Sequence, residues 1–285
     1  MSRRRDIRLR LKSLGEIQDI MGAMKNLAFM ETRKLAAFLS AQQRAVQAIM
    51  EVASDFSAFH DVEVARNARE IQLLIGSERG LCGNFNESLI GEVDSGRPVI
   101  SIGSRLEGAI QERLAIFPGA SVAEEIGGVL IRVVDFLAAM QSALPEKEVI
   151  GITAIYHTEE RIRTRRLLPL PKAAVSRHAY PPILNLDPSD FLEKLSGHYL
   201  YAALQEALSA SLMAENRYRL DHMENAMRQM ERRIGSLGQR YNQLRQEEIT
   251  EEIEVIMLSA EALSPLQSQQ RPNLISNSSG ERGFE

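Results

Sequence analysis

The chain has no tryptophan, and aromatic residues make up only 5% of its 285 positions. That argues against a large aromatic ligand pocket. A single cysteine, Cys82, excludes an internal disulfide framework and suits a reducing compartment. No apolar run approaches the roughly 20 residues that span a bilayer. The charged N-terminus lacks the apolar core of a signal peptide, so any membrane role has to be peripheral. A phosphate loop of the form G-x-x-x-x-G-K-S/T is absent. The histidines, His60, His157, His178, His198 and His222, never stand three or four residues from one another or from the cysteine, so zinc spacing is absent as well. The net charge of −4 argues against a general nucleic-acid binder. Proline is missing before Pro98.

What is present is helical periodicity at both ends. The stretch Leu204 to Leu263 contains no proline and, as one helix, would run roughly 90 Å at about 1.5 Å per residue. Within it Met223, Met227, Met230, Ile234, Leu237, Tyr241 and Leu244 alternate steps of four and three, the seam of a coiled coil. After a step of five the stripe resumes at Ile249, Ile253, Ile256, Ala260 and Leu263. Gly235 and Gly238 inside it should each cost about 1 kcal/mol relative to alanine, and are read either as a close helix–helix approach or as a local bend. At the other end Ile7, Leu11, Leu14, Ile17, Met21, Met24 and Ala28 form a second seam, which continues through Leu35, Phe38, Val46, Ile49 and Val52. Residues 3–58 are therefore predicted as a helix of roughly 80 Å. Two such helices at opposite ends of one chain most simply pair antiparallel, with the middle of the chain folded at one end of the rod.

The middle reads differently. Short apolar runs at 71–75, 98–102 and 148–156 suggest strands covered on both faces, as in parallel sheets. Helical stretches are predicted at 86–94, 104–114 and 131–143, the last ended by Pro145. Strand alternating with helix predicts an open, mostly parallel α/β sheet, with Arg163 to Pro169 as an added edge strand. Pro169, Pro171, Pro181, Pro182 and Pro188 mark an extended connector. Asp187-Pro-Ser-Asp190 reads as a helix start, with an acceptor cap and proline in the first turn. The fold class is thus α/β plus a long antiparallel two-helix coiled coil. The divisions are 1–58 (N-terminal helix), 68–182 (Rossmann-like α/β foot), 188–263 (C-terminal helix) and 264–285, a Gln-, Asn-, Ser-, Gly- and Pro-rich tail read as disordered.

Gly76-Ser-Glu-Arg-Gly-Leu-Cys-Gly-Asn-Phe-Asn86 follows a strand and precedes a helix. Glycines there could bring backbone amides to a phosphate, but the spacing is not G-x-G-x-x-G. Gly76, Gly80 and Gly83 are assigned to a tight structural turn. Cys82 could be a low-pKa thiol at a helix N-terminus, without an obvious histidine partner. The adjacent pairs Glu124-Glu125 and Glu159-Glu160 point apart on any regular element and are read as solvated. Arginine-rich clusters, Arg3, Arg4, Arg5, Arg8 and Arg10 with Lys12, and Arg161, Arg163, Arg165 and Arg166, keep a nucleic-acid- or lipid-binding adaptor open as one alternative. A nucleotide-using α/β enzyme with a helical lid is another.

Three motifs in order add a resemblance. Ile7-Arg-Leu-Arg-Leu-Lys-Ser-Leu-Gly-Glu-Ile-Gln-Asp-Ile-Met-Gly-Ala-Met-Lys25, Ser77-Glu-Arg-Gly-Leu-Cys-Gly-Asn-Phe-Asn86, and the stretch from Tyr241 to Glu254 with the closing Ala260-Glu-Ala-Leu263 resemble the gamma subunit of rotary F-type ATP synthases. The resemblance implies a non-catalytic central rotor shaft without cofactor or metal, coupling ion flow to ATP synthesis or hydrolysis. It implies as partners the alpha and beta subunits of the catalytic hexamer, the epsilon subunit and the membrane c-type ring, and no nucleic acid. It places the chain peripherally on the cytoplasmic face of a bacterial inner membrane. Carried over, the polar contacts to the hexamer are Lys25, Arg219, Gln246, Thr250 and Glu252, the last three expected on one flank of the helix. Departures at Asn26, Leu27, Phe29, Met30, Glu31 and 222–227 suggest a divergent branch, for which a sodium-pumping relative is one candidate.

Overall fold

The computed structural model describes residues 2–60, 67–108, 110, 113–145, 148–170 and 180–263. The tail 264–285 and Pro171 lie outside them. Helix α1 runs Ser2–Phe59 and helix α4 runs Pro188–Leu263, 58 and 76 residues without a break. Between them come strand β1 (Asn67–Ile75), helix α2 (Phe85–Ile90), strands β2 (Val99–Ile102) and β3 (Arg113–Phe117), helix α3 (Ile126–Ser142), and strands β4 (Glu148–His157) and β5 (Ile162–Leu168). Residues 18–228 form one compact unit. The first turns of α1, to Ile17, and α4 from Gln229 onward form another.

Within 18–228 the sheet order is β3-β2-β1-β4-β5. The first four strands are parallel, and β5 pairs antiparallel with β4 at the edge. Period-two alternation sorts β1 between two cores. Ile71, Leu73 and Ile75 join Ile152, Ala154, the α3 residues Val129, Leu130 and Val133, and the α4 residues Tyr199, Ala203, Leu204 and Ala207. Leu74 points the other way, with Ile155, Phe85, Leu89 and Leu106. Apolar side chains on both faces are why the strand reads as a continuous apolar run. Gln72, the polar residue within the run 71–75, is buried but satisfied: its amide donates to the Asp94 carbonyl at 2.7 Å and accepts from the Asp94 amide at 2.9 Å.

Both cores include α4, so the sheet is built onto the helix. Arg165 of β5 adds a polar fastening: it donates to Glu206 at 2.8 Å and to the Tyr199 hydroxyl at 3.1 Å. In the same unit the two long helices run antiparallel, with Lys25 Nζ 2.6 Å from Glu224 and the Phe56 and Phe191 rings in tilted contact, 4.9 Å between centroids. Among residues 2–17 and 229–263 the same sense holds, with Arg4 2.8 Å from Glu248.

Several sequence expectations change. No helix spans 104–114. Gly103 and Gly108 take φ of +115° and +86°, which limits the stretch to a single tight turn at 104–106. Arg113–Phe117 instead pairs with β2 as a strand that the apolar pattern did not reveal. Helix α2 stops at Ile90, short of 94, and α3 begins at Ile126 rather than 131. In the α1 seam Ile17, Phe38 and Val52 are exposed, whereas Ala28, Leu35, Val46, Ala53 and Phe56 are buried. A 3.6-residue helix drifts against a strict heptad, and the buried stripe drifts with it. Gly235 and Gly238 lie in an unbroken α4, and a Cβ at either would meet no atom within 4 Å, so close approach does not explain them. The seam Met223–Leu244 is half-buried or better, but Ile249, Ile253 and Ile256 are exposed by 45%, 51% and 65%. Among the described residues, nothing covers these last turns of α4.

A crevice filled by the chain's own helix

In an open α/β sheet, ligands bind beyond the carboxyl ends of the strands where the strand order reverses. Here the connection from β1 leads to β2 on one side, and the connection from β3 leads to β4 on the other, so the reversal lies between β1 and β4. The glycine-containing segment 76–86 leaves β1 at that point.

The segment is held by its own bonds. Ser77 N–H donates to Asn86 Oδ1 at 3.0 Å, and Asn86 Nδ2 donates to Ser77 Oγ at 2.8 Å. A Cβ on Gly76 would sit 2.6 Å from Leu106 and 2.8 Å from Asn86 Oδ1. Leu81 and Gly83 take φ of +65° and +60°. Gly76 is thus closely approached and Gly83 takes a left-handed backbone, whereas Gly80 has ordinary space. Cys82 is buried against Ser77 Oγ and the Arg79 carbonyl, which suits packing rather than nucleophilic work. The neighbouring Glu78 accepts from Ser104 N–H at 2.9 Å, Ser104 Oγ at 2.8 Å and Gly119 N–H at 2.6 Å. Burial pushes this carboxyl up, but the Ser104 and Gly119 donors and nearby Arg105 outweigh it and hold it below the usual carboxylate range.

Helix α4 occupies the place a ligand would take. Ser211 Oγ donates to the Ile75 carbonyl at 3.1 Å. Glu215 accepts from the amides of Glu78 at 3.4 Å and Arg79 at 3.3 Å. Arg219 donates to the Gly80 carbonyl at 3.2 Å, to Asn216 Oδ1 at 2.6 Å, and to Glu215. Glu215, Asn216 and Arg219 are all buried. Burial pushes the Glu215 carboxyl up, against the opposing pull of Arg219 and the two amides. One turn on, Tyr218 packs edge-on to Phe85, whose ring lies 4.1 Å from that of His157. Among the described residues no group of three or more His, Cys, Asp and Glu could hold a metal ion.

Arg219 was expected at the hexamer surface and is corrected here: its guanidinium is consumed inside the chain. Lys25 is about one-third exposed and paired with Glu224. Gln246 and Thr250 are exposed, the Thr250 hydroxyl donating back to the Gln246 carbonyl at 2.9 Å. They line an open polar depression with Arg240, Gln243 and Glu247. Glu252 does not share their flank. Two residues along a helix turn through about 200°, so it faces away from Thr250. The structural residues that sequence reasoning missed are Ser211, Glu215 and Tyr218. The i, i+4 spacing of Glu215 and Arg219 was their only signal, and that spacing is common on solvated helices.

His157 supplies a pH test. Its Nε2 lies 2.9 Å from the Phe85 carbonyl and 3.2 Å from Ser88 Oγ. Burial pushes its pKa below the ordinary histidine value, partly offset by the Phe85 carbonyl. The folded state therefore binds its proton less readily than the unfolded chain. Stability from this group is complete above about pH 6.5 and is lost as pH falls through the lower folded value. Urea midpoints measured between pH 7.5 and 5 should fall on acidification, and His157→Phe should flatten that part of the profile. An unchanged slope in the variant would refute the assignment.

Within residues 18–228 the crevice is thus filled by a helix of the same chain, to which the sheet is bonded. The comparisons name a family. The ATP synthase family model matches residues 3–263. The ATP synthase gamma chain of Syntrophus aciditrophicus is 27% identical over 295 residues, covering 93% of this chain and 99% of its own length. That of Xanthomonas campestris pv. campestris is 26% identical, covering 91% and 99%. A chain in the Euglena gracilis mitochondrial ATP synthase (OSCP/F1/c-ring, rotational state 3) shares the fold with a TM-score of 0.67 at 14% identity, over 96% of this chain and 98% of that one. The chain therefore belongs to the ATP synthase family, and the curated relatives it matches along nearly their whole length are gamma chains. No helix among the described residues is long and apolar enough to cross a membrane.

Proposed function

We propose that the paired parts of α1 and α4 stand inside a hexamer of alternating alpha and beta subunits, and that the α/β segment 68–182 is a foot on the membrane c-type ring beside the epsilon subunit. In this reading 1–58 and 188–263 are the shaft, and 264–285 is a tail. The observation that carries it is the family match across both long helices. The mechanism is differential contact. A shaft with unlike flanks meets each catalytic subunit differently in every orientation, and each subunit shifts toward the conformation its contact favours. Rotation driven by ion flow then changes nucleotide affinity in turn, and hydrolysis drives the reverse. Lys25, Gln246, Thr250 and Glu252 are the contacts proposed for this chain. Gln246 and Thr250 would serve one flank and Glu252 the opposite one.

The bacterial sources of the curated relatives support a site on the cytoplasmic face of a bacterial inner membrane. The bulky residues around 26–31 support a divergent branch, and sodium-dependent ATPase activity in the assembled complex would identify it as sodium-pumping. The contact reading is tested with Gln246→Ala/Thr250→Ala/Glu252→Ala in the assembled complex. ATP-driven ion pumping should fall several-fold, while the helix content of the isolated chain stays constant because these side chains are exposed. Pumping at the wild-type rate would reject the assignment.

A further inference from the structure

We propose that the loop between β1 and α2 is an oxyanion-binding site whose resident ligand is the chain's own Glu215 carboxylate, and that this internal ligand fastens α4 into the crevice. The donor set is the first argument. Two successive backbone amides, those of Glu78 and Arg79, each point at a different carboxylate oxygen. The Arg219 guanidinium meets one of the same oxygens, and is itself aimed by the Gly80 carbonyl and Asn216 Oδ1. Paired amides with a guanidinium are the chemistry by which proteins hold phosphate and carboxylate groups.

The second argument is independence. The loop is closed by the reciprocal Ser77–Asn86 bonds and by the positive φ angles of Leu81 and Gly83, none of which involves Glu215. It is preformed, and the anion enters from another element 136 residues away. The third is burial. Glu215 is 2% and Arg219 4% exposed. Without the carboxylate, the two amides would lose this acceptor and the buried guanidinium would keep only the Gly80 carbonyl and Asn216 Oδ1, with no counter-charge.

The site should therefore accept a free oxyanion once the internal one is cut away. The experiment compares the full-length chain with Glu215→Ala by thermal unfolding in chloride, inorganic phosphate and acetate at equal ionic strength. In chloride the variant should melt roughly 5–10 °C lower. Phosphate or acetate should restore at least half of that loss in a saturable way, as a ligand that binds only the folded state does, while the wild type barely responds. Glu215→Gln fills the space without charge; it should be destabilised and should not respond to either anion. If Glu215→Ala does not fold in chloride, refolding is compared instead. Recovery of helical, soluble protein in phosphate or acetate but not in chloride supports the site. An equal anion response in wild type and variant, no recovery in either anion, or a Glu215→Gln chain as stable as wild type would each overturn the proposal.

Discussion

Met230→Pro is expected to abolish ATP-driven ion pumping in the assembled complex. Met230 lies on the half-buried seam of α4, in mid-helix. Proline there removes the hydrogen bond to the carbonyl one turn back and drives its ring into that carbonyl, a cost of about 3 kcal/mol or more in a helix interior. Met230 belongs to the segment that groups with the first turns of α1, so the kink would disturb that pairing. Pumping, ATPase activity and co-purification of the hexamer separate the outcomes: retained hydrolysis without pumping means uncoupling, and loss of the hexamer means disassembly. Unchanged pumping would sink the idea that a continuous α4 carries the coupling.

Gly103→Val should prevent the α/β segment from folding normally. Gly103 has φ of +115°, which a β-branched residue cannot adopt without strain. A Cβ there would also lie 2.8 Å from both the Gly76 and Ser77 carbonyl oxygens. These are backbone atoms of the loop that leaves β1, so the neighbour cannot step aside as a flexible side chain would. Strain and clash together should cost on the order of 4 kcal/mol or more, at the far end of what single substitutions do. Poor soluble yield, or a urea midpoint far below wild type, is the expected result. A variant as stable as wild type would show that the turn at 103 is not fixed as described.

The long helices were legible because each repeats one simple signal over many turns, and because neither carries a proline beyond its first turn. The three parallel strands at 71–75, 98–102 and 148–156 were legible for a related reason: burial on both faces leaves an apolar run that periodicity can find. Strand β3 was not, because its five residues are partly exposed and share no clean alternation; it is defined by its neighbour β2. The drift of the α1 seam from Phe38 to Ala53 and Phe56 depends on what packs against it, which a heptad count does not contain. The crevice was half legible. Gly76 and Gly83 announced a tight turn, and the missing phosphate loop argued against nucleotide. The anion that fills it comes from residue 215, and no local pattern connects that position with residues 78 and 79. The same long-range bonding moves Arg219 from the surface to the interior.

The pairing of opposite chain ends also sets a timetable for synthesis. Arg4 meets Glu248, Lys25 meets Glu224 and Phe56 packs against Phe191, so α1 leaves the ribosome long before the helix that covers its seam exists. Closing loops this long is slow and favours kinetic traps. Helix α1 is made well before α4 yet is finished only with it, and a nascent chain stalled before residue 190 would display a bare apolar stripe to any chaperone within reach.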